Sequence, residues 1–456
     1  MKILVIGGDA AGMSAASQIR RRQPSWTVEV FEMGQRVSCA LCGSPYFISG
    51  LIKDIERLVA VTPERFEKER GIKIRLRHEV TAIHPARKSL TVRNLDSGQS
   101  REENYDRLVM ATGAEAIEPK GLEAGPAGLF YLRSLADAER LREAALGAKS
   151  AAVVGAGYLG LEITEALVRA GLSVTLLGRR PAPSFETELQ NMAQMALARP
   201  EVTFRPGLEA VGLARAAEGG LEVAVSQGRP VRADLAVVGA GLRPRSGLAA
   251  AAGLALGDRG AVAVDRCQRT SNPFIYAAGD CAESYHLVSK KGAYIPLALG
   301  ANRQGKTAGL NISGLREKSP GVLGTSIMKV FDLALAGTGL GLEAARRAGF
   351  PYAVKTVVRQ PSKPDYYPGG SEVVCVVIHD PITGRLLGGQ LGGTVDGVGQ
   401  RINTLAAALT AGMTVKEAAG IDAAYAPPFA PVHDPVIIAC EIASKNSGSG
   451  GGTRRS

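Results

Sequence analysis

Two cysteines near the amino terminus carry the most reactive side chains of this sequence. Cys39 and Cys42 lie in residues 38–47, Ser-Cys-Ala-Leu-Cys-Gly-Ser-Pro-Tyr-Phe. A cysteine thiolate attacks disulfide sulfurs, and a helix amino terminus or nearby cations lower the pKa of the thiol. The Cys-x-x-Cys spacing is that of dithiol redox motifs, so a disulfide between the two stays open. The stretch predicts sulfur redox chemistry.

The stretch closely follows a unit of dinucleotide-binding type. An apolar strand over residues 3–6 leads into the turn Gly-Gly-Asp-Ala-Ala-Gly, a helical pattern to Arg22 and a strand ending at Glu32. Such a turn aims helix N–H groups at a pyrophosphate, and the acid accepts a hydrogen bond from a ribose hydroxyl. The usual middle glycine is Asp9 here. A cysteine placed just after this unit can lie against the isoalloxazine of a bound flavin.

A second unit of the same type begins at residue 151. Its turn, Gly155-Ala-Gly-Tyr-Leu-Gly160, keeps all three glycines, and its second strand ends in Gly178-Arg179-Arg180. Where the first unit has an acidic residue at the end of its second strand, this unit has two arginines. Arginines at that position favour binding of a ribose 2′-phosphate, which predicts NADPH over NADH. Two solvated arginines are the alternative, so NADH stays open.

Two further segments return to the first nucleotide. Residues 108–113 form an apolar strand ending in a small-residue turn, and residues 270–280 form a strand ending in Gly279-Asp280. Asp280 can hydrogen-bond the ribityl or phosphate end of a flavin. The second unit lies between these segments, so the predicted fold class is α/β, with an FAD domain split by an inserted NAD(P) domain. An α+β dimerisation domain completes the predicted fold.

The predicted boundaries place the FAD domain at 1–118 and 243–322, the NAD(P) domain at 119–242 and the dimerisation domain at 323–444. Residues 445–456 are predicted to form a disordered tail. The 456-residue chain has a net charge of +11, spread along its length, and no nucleic-acid motif, so no nucleic-acid or membrane partner is expected; polyanionic nucleotide ligands or a solvated basic surface account for the charge. Six sparse cysteines, no export segment and no apolar run of membrane-spanning length predict a cytoplasmic protein. No metal site is predicted.

The order of these motifs, over the chain to about residue 443, resembles the pyridine nucleotide–disulfide oxidoreductase superfamily. Cys42-Gly-Ser-Pro-Tyr is similar to the single-cysteine branch, which includes coenzyme A disulfide reductases, NADH oxidases and peroxidases, and persulfide reductases. The dithiol branch has a histidine with a glutamate five residues on, but His433 is followed at that distance by Ile438. The resemblance implies that Cys42 is the redox centre and that Cys39 fills an apolar slot.

Residues 365–369 and 425–429 match the coenzyme A disulfide reductase pattern. The resemblance implies a homodimer in which Tyr367 and Tyr425 reach the partner's cysteine and protonate or hydrogen-bond the departing thiolate. It also implies coenzyme A contacts by Ser14, Gln18, Arg21, Ser38, Arg70, Asn302 and His433. Leu41 departs from the pattern, because that branch has an asparagine there that touches substrate.

The resemblance also implies which residues hold the cofactors. Those for FAD are Gly7, Gly8, Ala10, Ala11, Gly12, Glu32, Met33, Val80, Ala111, Thr112, Gly113, Arg133, Gly279, Asp280, Pro296 and Ala298. Those for NAD(P) are Gly155, Gly157, Tyr158, Leu159, Gly160, Glu162, Arg179, Arg180 and Gly241.

Three hypotheses for the function follow. In the first, an FAD enzyme driven by NAD(P)H reduces coenzyme A disulfide or a related persulfide or polysulfide, with coenzyme A as a bound ligand or a mixed disulfide on Cys42. In the second, an NAD(P)H oxidase reduces oxygen or peroxide through a Cys42 sulfenic acid. That branch has a histidine near the first glycine turn, where this chain has Asp9, Ala10 and Ala11. In the third, the flavin passes electrons to a protein partner and Cys42 has no role.

Overall fold

The computed structural model describes residues 1–123 and 125–447. Its helices are α1 Ala10–Arg22, α2 Ser44–Ile48, α3 Pro63–Arg70, α4 Leu135–Leu146, α5 Tyr158–Arg169, α6 Thr187–Ala196, α7 Gly247–Ala251, α8 Ala298–Ile312, α9 Leu342–Arg347, α10 Val395–Ala411, α11 Val415–Ala419 and α12 Pro435–Lys445. Short 3₁₀ turns cover Leu41–Gly43, Ile55–Leu58 and Asp258–Gly260. The predicted tail begins at the end of α12, and from residue 448 onward it lies outside the described residues.

The strands are β1 Lys2–Ile6, β2 Thr27–Phe31, β3 Lys73–Arg75, β4 His78–His84, β5 Ser89–Asn94, β6 Ser100–Asn104, β7 Arg107–Met110, β8 Ala114–Ala116, β9 Leu129–Tyr131, β10 Ser150–Val154, β11 Ser173–Gly178, β12 Val202–Pro206, β13 Ala210–Arg215, β14 Leu221–Val225, β15 Val231–Ala233, β16 Leu235–Val238, β17 Leu242–Pro244, β18 Ile275–Ala277, β19 Ser284–Tyr285, β20 Gly292–Ala293, β21 Ser326–Val330, β22 Leu333–Gly339, β23 Val354–Pro361, β24 Glu372–His379 and β25 Leu386–Gly393.

The first sheet is parallel and has the strand order β18-β7-β1-β2-β3. In β1, Ile3, Leu4 and Val5 are fully buried, because helices and further strands cover both faces of a parallel sheet. Strand β18 joins this sheet from far along the chain, after the second nucleotide unit. The sheet is therefore split in sequence, as predicted.

The second sheet is also parallel and has the order β12-β11-β10-β16-β9. Where the chain passes between the two sheets, β8 pairs antiparallel with β17. Small antiparallel sheets, β4-β5-β6, β13-β14-β15 and β19-β20, flank the two units. The two Rossmann-like units confirm the predicted fold class, while the domain boundaries stay predictions.

The carboxyl-terminal sheet is antiparallel, with the order β21-β22-β25-β24-β23. Helices α10 and α12 pack on it and bury a continuous apolar run of β24 from Val373 to Ile378. None of the described helices is long and apolar enough to cross a membrane.

Helix α8 crosses α1 at a glycine contact. A Cβ atom on Gly305 would lie 2.1 Å from the carbonyl oxygen of Ala11, so only glycine permits this close crossing. One turn earlier on α8, Asn302 accepts a hydrogen bond from the Ser14 hydroxyl of α1 at 2.8 Å. The crossing thus brings polar side chains of both helices to one surface.

Candidate active site

The first glycine-rich turn packs too tightly for side chains. Gly7 has a φ of 100°, and a Cβ on Gly12 would lie 1.9 Å from the carbonyl oxygen of Gly7. Glu32, at the end of β2, accepts hydrogen bonds from the N–H groups of Gly8 at 2.8 Å and Gly34 at 2.6 Å. Burial raises the pKa of Glu32, and these two hydrogen bonds oppose the rise. The turn leaves the amino end of α1 open to an anion.

Three side chains near the carboxyl end of β18 have polar atoms without a hydrogen bond among the described residues, although Arg133 Nη2 donates to the carbonyl oxygen of Ala114 at 3.1 Å. Within the described part of the chain, the Asp280 carboxylate has no hydrogen bond, and Arg133 Nε and the Tyr294 hydroxyl are buried without one. Burial raises the pKa of Asp280 while the Arg133 charge lowers it. Since buried polar groups are normally paired, these groups fit a polar ligand such as the ribityl and phosphate chain of FAD. Tyr294 was not predicted from the sequence, because it follows no motif.

The other predicted FAD residues lie around this cluster. The Thr112 hydroxyl donates to the carbonyl oxygen of Arg245 at 2.6 Å, and Arg245 Nη1 lies 3.8 Å from Met33 Sδ. A Cβ on Gly279 would lie 2.8 Å from that of Ala11. Ala10 and Ala111 pack against the same small-residue contact. Val80 is buried in β4, and Gly113 has a φ of 70°. Ala298 is the first residue of α8, and Pro296 lies two residues before it.

The second glycine-rich turn repeats this construction. Gly155 has a φ of 104°, and a Cβ on Gly160 would lie 1.7 Å from the carbonyl oxygen of Gly155. Arg179 and Arg180 are exposed just beyond β11. Gly157 caps α5, whose first two residues are Tyr158 and Leu159, and Gly241 has a φ of 113° beyond β16. The Tyr158 hydroxyl lies 2.7 Å from Ser326 Oγ of the dimerisation domain.

Asp9 attaches the cysteine stretch to the first glycine turn. Its Oδ1 accepts a hydrogen bond from the Cys39 N–H at 2.9 Å, and the Ser38 N–H donates to the carbonyl oxygen of Gly8 at 2.8 Å. Cys42 then lies in the 3₁₀ turn before α2 and is exposed. The departure from the glycine pattern at Asp9 therefore has a structural role.

The electrostatic surroundings of Cys42 differ from the expectation of nearby cations. Burial and the carboxylates of Glu162 and Asp280 raise the pKa of Cys42. A backbone hydrogen bond and the Arg133 charge act in the opposite direction. Helix α5, which carries Glu162, packs against α2, and burial together with Glu165 raises the pKa of Glu162 to about 7. Among the charges that act on the Cys42 thiol, the carboxylates of Glu162 and Asp280 therefore outweigh Arg133.

Cys39 should be the less reactive of the two thiols. Burial, followed by the Asp9 carboxylate, raises the pKa of Cys39 far above its usual value. We expect iodoacetamide at pH 8 to label Cys42 and to leave Cys39 unlabelled, and we expect Asp9→Asn to increase labelling of Cys39. Peptide mass spectrometry of the native protein measures both, with buried Cys281 as an internal control. Equal labelling, or a recovered Cys39–Cys42 disulfide peptide, would contradict this prediction.

A groove of about 380 Å³ runs beside the crossing of α1 and α8. It brings together six of the seven predicted substrate residues, Ser14, Gln18, Arg21, Ser38, Arg70 and Asn302. Its lining adds Ser17, Phe66, Arg303 and Lys306, which the sequence analysis missed. The helical spacing could have indicated two of them, since Ser17 follows Ser14 and Lys306 follows Asn302 by one turn.

Arg70 is fixed within this groove. Its Nη1 donates to the Ser17 hydroxyl at 2.7 Å, and its guanidinium lies 5.0 Å from the centroid of the Phe66 ring. The groove therefore presents a guanidinium that is held in place over a buried aromatic ring. Leu41 is not part of its lining and packs against the apolar core instead.

The remaining predicted residues lie on the dimerisation domain. His433 is exposed just before α12 and does not line the groove of its own chain. The Tyr425 hydroxyl lies 3.1 Å from that of Tyr366, not from that of Tyr367. Tyr367 is half-buried, with the Lys363 ammonium 5.6 Å from its ring centroid.

These features combine two units of dinucleotide-binding type with an exposed cysteine. Residues 1–305 match the pyridine nucleotide-disulphide oxidoreductase family, and residues 325–435 match its dimerisation domain. The chain belongs to this family. It is a flavoenzyme that works with FAD and NAD(P)H, and the matching dimerisation domain indicates a homodimer.

The relatives include proteins of sulfur metabolism. The NAD(P)H sulfur oxidoreductase (CoA-dependent) of Pyrococcus furiosus is 38% identical over 447 residues, covering 97% of this chain and 98% of its own. The coenzyme A disulfide reductase of Staphylococcus aureus is 32% identical over 433 residues, covering 94% and 96%. The structure of an NAD-dependent persulfide reductase from A. fulgidus superposes with a TM-score of 0.92 at 36% identity, covering 97% and 83%.

Proposed function

We propose that this chain reduces coenzyme A disulfide, or a related persulfide or polysulfide, at the single redox-active thiol of Cys42. The observation that carries this proposal is the basic groove beside α1 and α8. Ser38 lies in the groove lining and precedes Cys42 by four residues, so the groove adjoins the segment that carries the thiol. The sulfur and coenzyme A activities in the names of the relatives support the same substrate class.

The charges of the groove suit coenzyme A. Arg21, Arg70, Arg303 and Lys306 supply four cations, and coenzyme A carries several phosphate charges. The Arg70 guanidinium, held over the buried Phe66 ring, offers a planar surface on which an adenine ring can stack. A small disulfide without a nucleotide would leave these groups unused, so the groove favours a nucleotide-bearing disulfide.

Different residues of the chain would bind the cofactors and carry out the reaction with the substrate. Glu32 and the first glycine turn hold FAD, with Asp280, Arg133 and Tyr294 at its polar chain, and the second glycine turn holds NAD(P)H. Bound FAD would supply the chemistry that carries the two electrons of NAD(P)H to Cys42, which would return its sulfur from the mixed disulfide to the thiolate after each turnover. The Cys42 thiolate attacks one substrate sulfur, forms a mixed disulfide and releases the other half as a thiolate. Tyr425 of the partner subunit gives that thiolate a proton, so the active site is shared between the subunits.

Anaerobic NADPH oxidation tests the proposed function. The purified protein should turn over with coenzyme A disulfide, and Arg70→Ala should raise KM for it about tenfold or more, since a hydrogen bond to a charged group contributes about 1.5–3 kcal/mol. Lys68→Ala, on the same helix but outside the groove, is the matched control. Both variants should treat cystine, which has no nucleotide, as the native protein does. Turnover with oxygen and with none of the sulfur acceptors would contradict the proposal and favour an oxidase.

Arg179 and Arg180 should determine the preferred nicotinamide nucleotide. Both side chains are exposed beyond β11, where a ribose 2′-phosphate would lie. We expect the double change to alanine to raise KM for NADPH at least about tenfold, because each charged hydrogen bond contributes about 1.5–3 kcal/mol. KM for NADH should change less than about twofold, since NADH has no such phosphate. Steady-state kinetics with both nucleotides measure this, and equal changes in KM would contradict the NADPH preference.

A further inference from the structure

We propose that Glu139 and Arg142 of α4 are positioning residues for the Cys42 thiol. Helix α4 follows β9, a strand of the second sheet, whereas Cys42 lies between two strands of the first sheet. The two side chains bind the chain on both sides of Cys42 and so keep the thiol in place for attack on the substrate sulfur. This inference rests on the proposed function, because the role concerns the reaction of Cys42.

The chain around Cys42 forms a closed loop, residues 38–60, which we call the cysteine loop. The Ala40 N–H donates to the carbonyl oxygen of Leu58 at 2.7 Å, and the Ala60 N–H donates to that of Ser38 at 3.0 Å. A Cβ on Gly43, the residue after Cys42, would lie 2.3 Å from Leu58 Cδ2. The two sides of the loop are therefore in close contact beside the thiol, and contacts that fix the loop also fix Cys42.

The apolar side chains of the cysteine loop pack toward the second unit. Phe47, Ile55 and Leu58 are buried in one apolar cluster with Leu135 and Leu141 of α4. The strands of the first sheet bury their side chains in two other clusters. Helix α2, which begins two residues after the reactive cysteine, packs directly against α4. The loop thus belongs to the first unit in sequence and to the second unit in its packing.

Glu139 binds the beginning of the loop through Arg36. Arg36 lies two residues before the loop, and its Nη1 and Nη2 donate to the two carboxylate oxygens of Glu139 at 2.9 and 3.0 Å. Its Nη2 also donates to Glu56, near the end of the loop, at 2.7 Å. The hydrogen bonds to Glu139 are the main cause that raises the pKa of Arg36. A two-pronged pair of this kind fixes orientation as well as distance.

Arg142 binds the middle of the loop. Its Nη1 donates to the carbonyl oxygens of Lys53 at 3.0 Å and Ile52 at 3.4 Å. Its guanidinium lies 4.3 Å from the ring centroid of Phe47, which is buried in α2. Because Arg142 follows Glu139 by three residues, both side chains leave the same face of α4. One face of this helix therefore holds the cysteine loop at its beginning, middle and end.

The position of these contacts predicts which step they affect. A thiolate attacks only when its sulfur is close to the disulfide and aligned with it, and a displacement of about 1 Å can lower a rate about a hundredfold. Neither Glu139 nor Arg142 lines the substrate groove, and neither lies in a glycine-rich turn. Loss of either side chain should therefore slow the reaction of Cys42 without weakening the binding of substrate or nucleotides.

Two electron acceptors test this role in the holoenzyme. Arg142→Met should lower kcat for coenzyme A disulfide about tenfold, because it loosens the loop that aligns the thiol. KM for coenzyme A disulfide, and the reduction by NADPH of ferricyanide, which needs the flavin but no thiol, should each change less than about twofold. Hydrogen exchange in residues 41–48 should become faster, a readout that does not depend on activity.

Two further variants accompany this test. Glu139→Gln keeps the shape of the side chain and removes its charge, so it should show the same pattern with a smaller loss and a smaller risk to folding. Arg140→Met is the matched control for Arg142→Met. Arg140 lies on the same helix, but its side chain is 70% exposed and pairs only within the helix, with Asp137. It should match the native protein in every measurement.

The outcomes separate this inference from the function on which it rests. Native protein that does not reduce coenzyme A disulfide would overturn both. If the native protein is active, unchanged kcat in Arg142→Met and Glu139→Gln would overturn the positioning role alone. Equal losses with ferricyanide and coenzyme A disulfide would also overturn it, since they would indicate general damage to the enzyme. A tenfold loss in Arg140→Met would do the same, because that residue does not touch the cysteine loop.

Discussion

Replacing Cys42 with serine should lower the reduction of coenzyme A disulfide on the order of a thousandfold or more, because a neutral hydroxyl replaces the nucleophilic thiolate. Cys42 is exposed in a short 3₁₀ turn, so the substitution should leave the fold and the nucleotide sites intact. Anaerobic NADPH oxidation measures the loss, and the absorbance of the purified variant shows whether FAD is retained.

Cys39→Ser is the matched control for Cys42→Ser. Cys39 is partly buried, its N–H is held by Asp9, and its thiol resists ionisation, so the variant should keep most of the activity. Comparable losses in the two variants would indicate an internal disulfide between Cys39 and Cys42. If Cys42→Ser reduces a protein electron acceptor at the native rate but does not reduce disulfides, the flavin can transfer electrons without Cys42, and Cys42 is needed only for the sulfur chemistry. Retention of disulfide reduction by Cys42→Ser would contradict the proposed mechanism.

The fold class could be predicted because its determinants are local in sequence. Gly7 and Gly155 have φ angles of 100° and 104°, which side-chain-bearing residues rarely adopt, and each follows a strand whose last four residues are apolar. Strand, glycine turn and helix are contiguous, so each unit can be recognised without knowledge of the other. The chain order of these motifs was then enough to predict that one sheet is split around the other.

The candidate site was less predictable because its contacts join distant segments. Burial and then the carboxylate of Glu162, on a helix of the second unit, raise the pKa of Cys42 in the first unit. Nothing near Tyr294 in the sequence indicates that its hydroxyl is buried without a partner beside Asp280. Tyr366 and Tyr367 are adjacent in sequence, and only the three-dimensional structure shows which of them meets Tyr425.

Removing the buried ion pair between Arg401 and Asp434 should destabilise the dimerisation domain strongly. Arg401 and Asp434 form an ion pair at 2.7 Å with side chains only 7% and 15% exposed. Arg401→Met leaves a carboxylate and the carbonyl oxygen of Ser362 without their donor, and breaking a buried pair costs about 3–5 kcal/mol. We expect the free energy of unfolding of the dimerisation domain to fall by that amount. Hydrogen exchange in α10 and α12 under denaturant, at fixed protein concentration, measures it.

Arg359→Met supplies the matched control on the same domain. Arg359 pairs with Glu372 at 2.8 Å, but both side chains are about half exposed, and such pairs contribute about 0–1 kcal/mol. If both substitutions have the same small effect, burial of the Arg401–Asp434 pair does not add to the stability of the domain. If only Arg401→Met destabilises the domain, its remaining folded fraction should also reduce coenzyme A disulfide more slowly, because Arg401 no longer holds Asp434, which follows the Tyr425 segment.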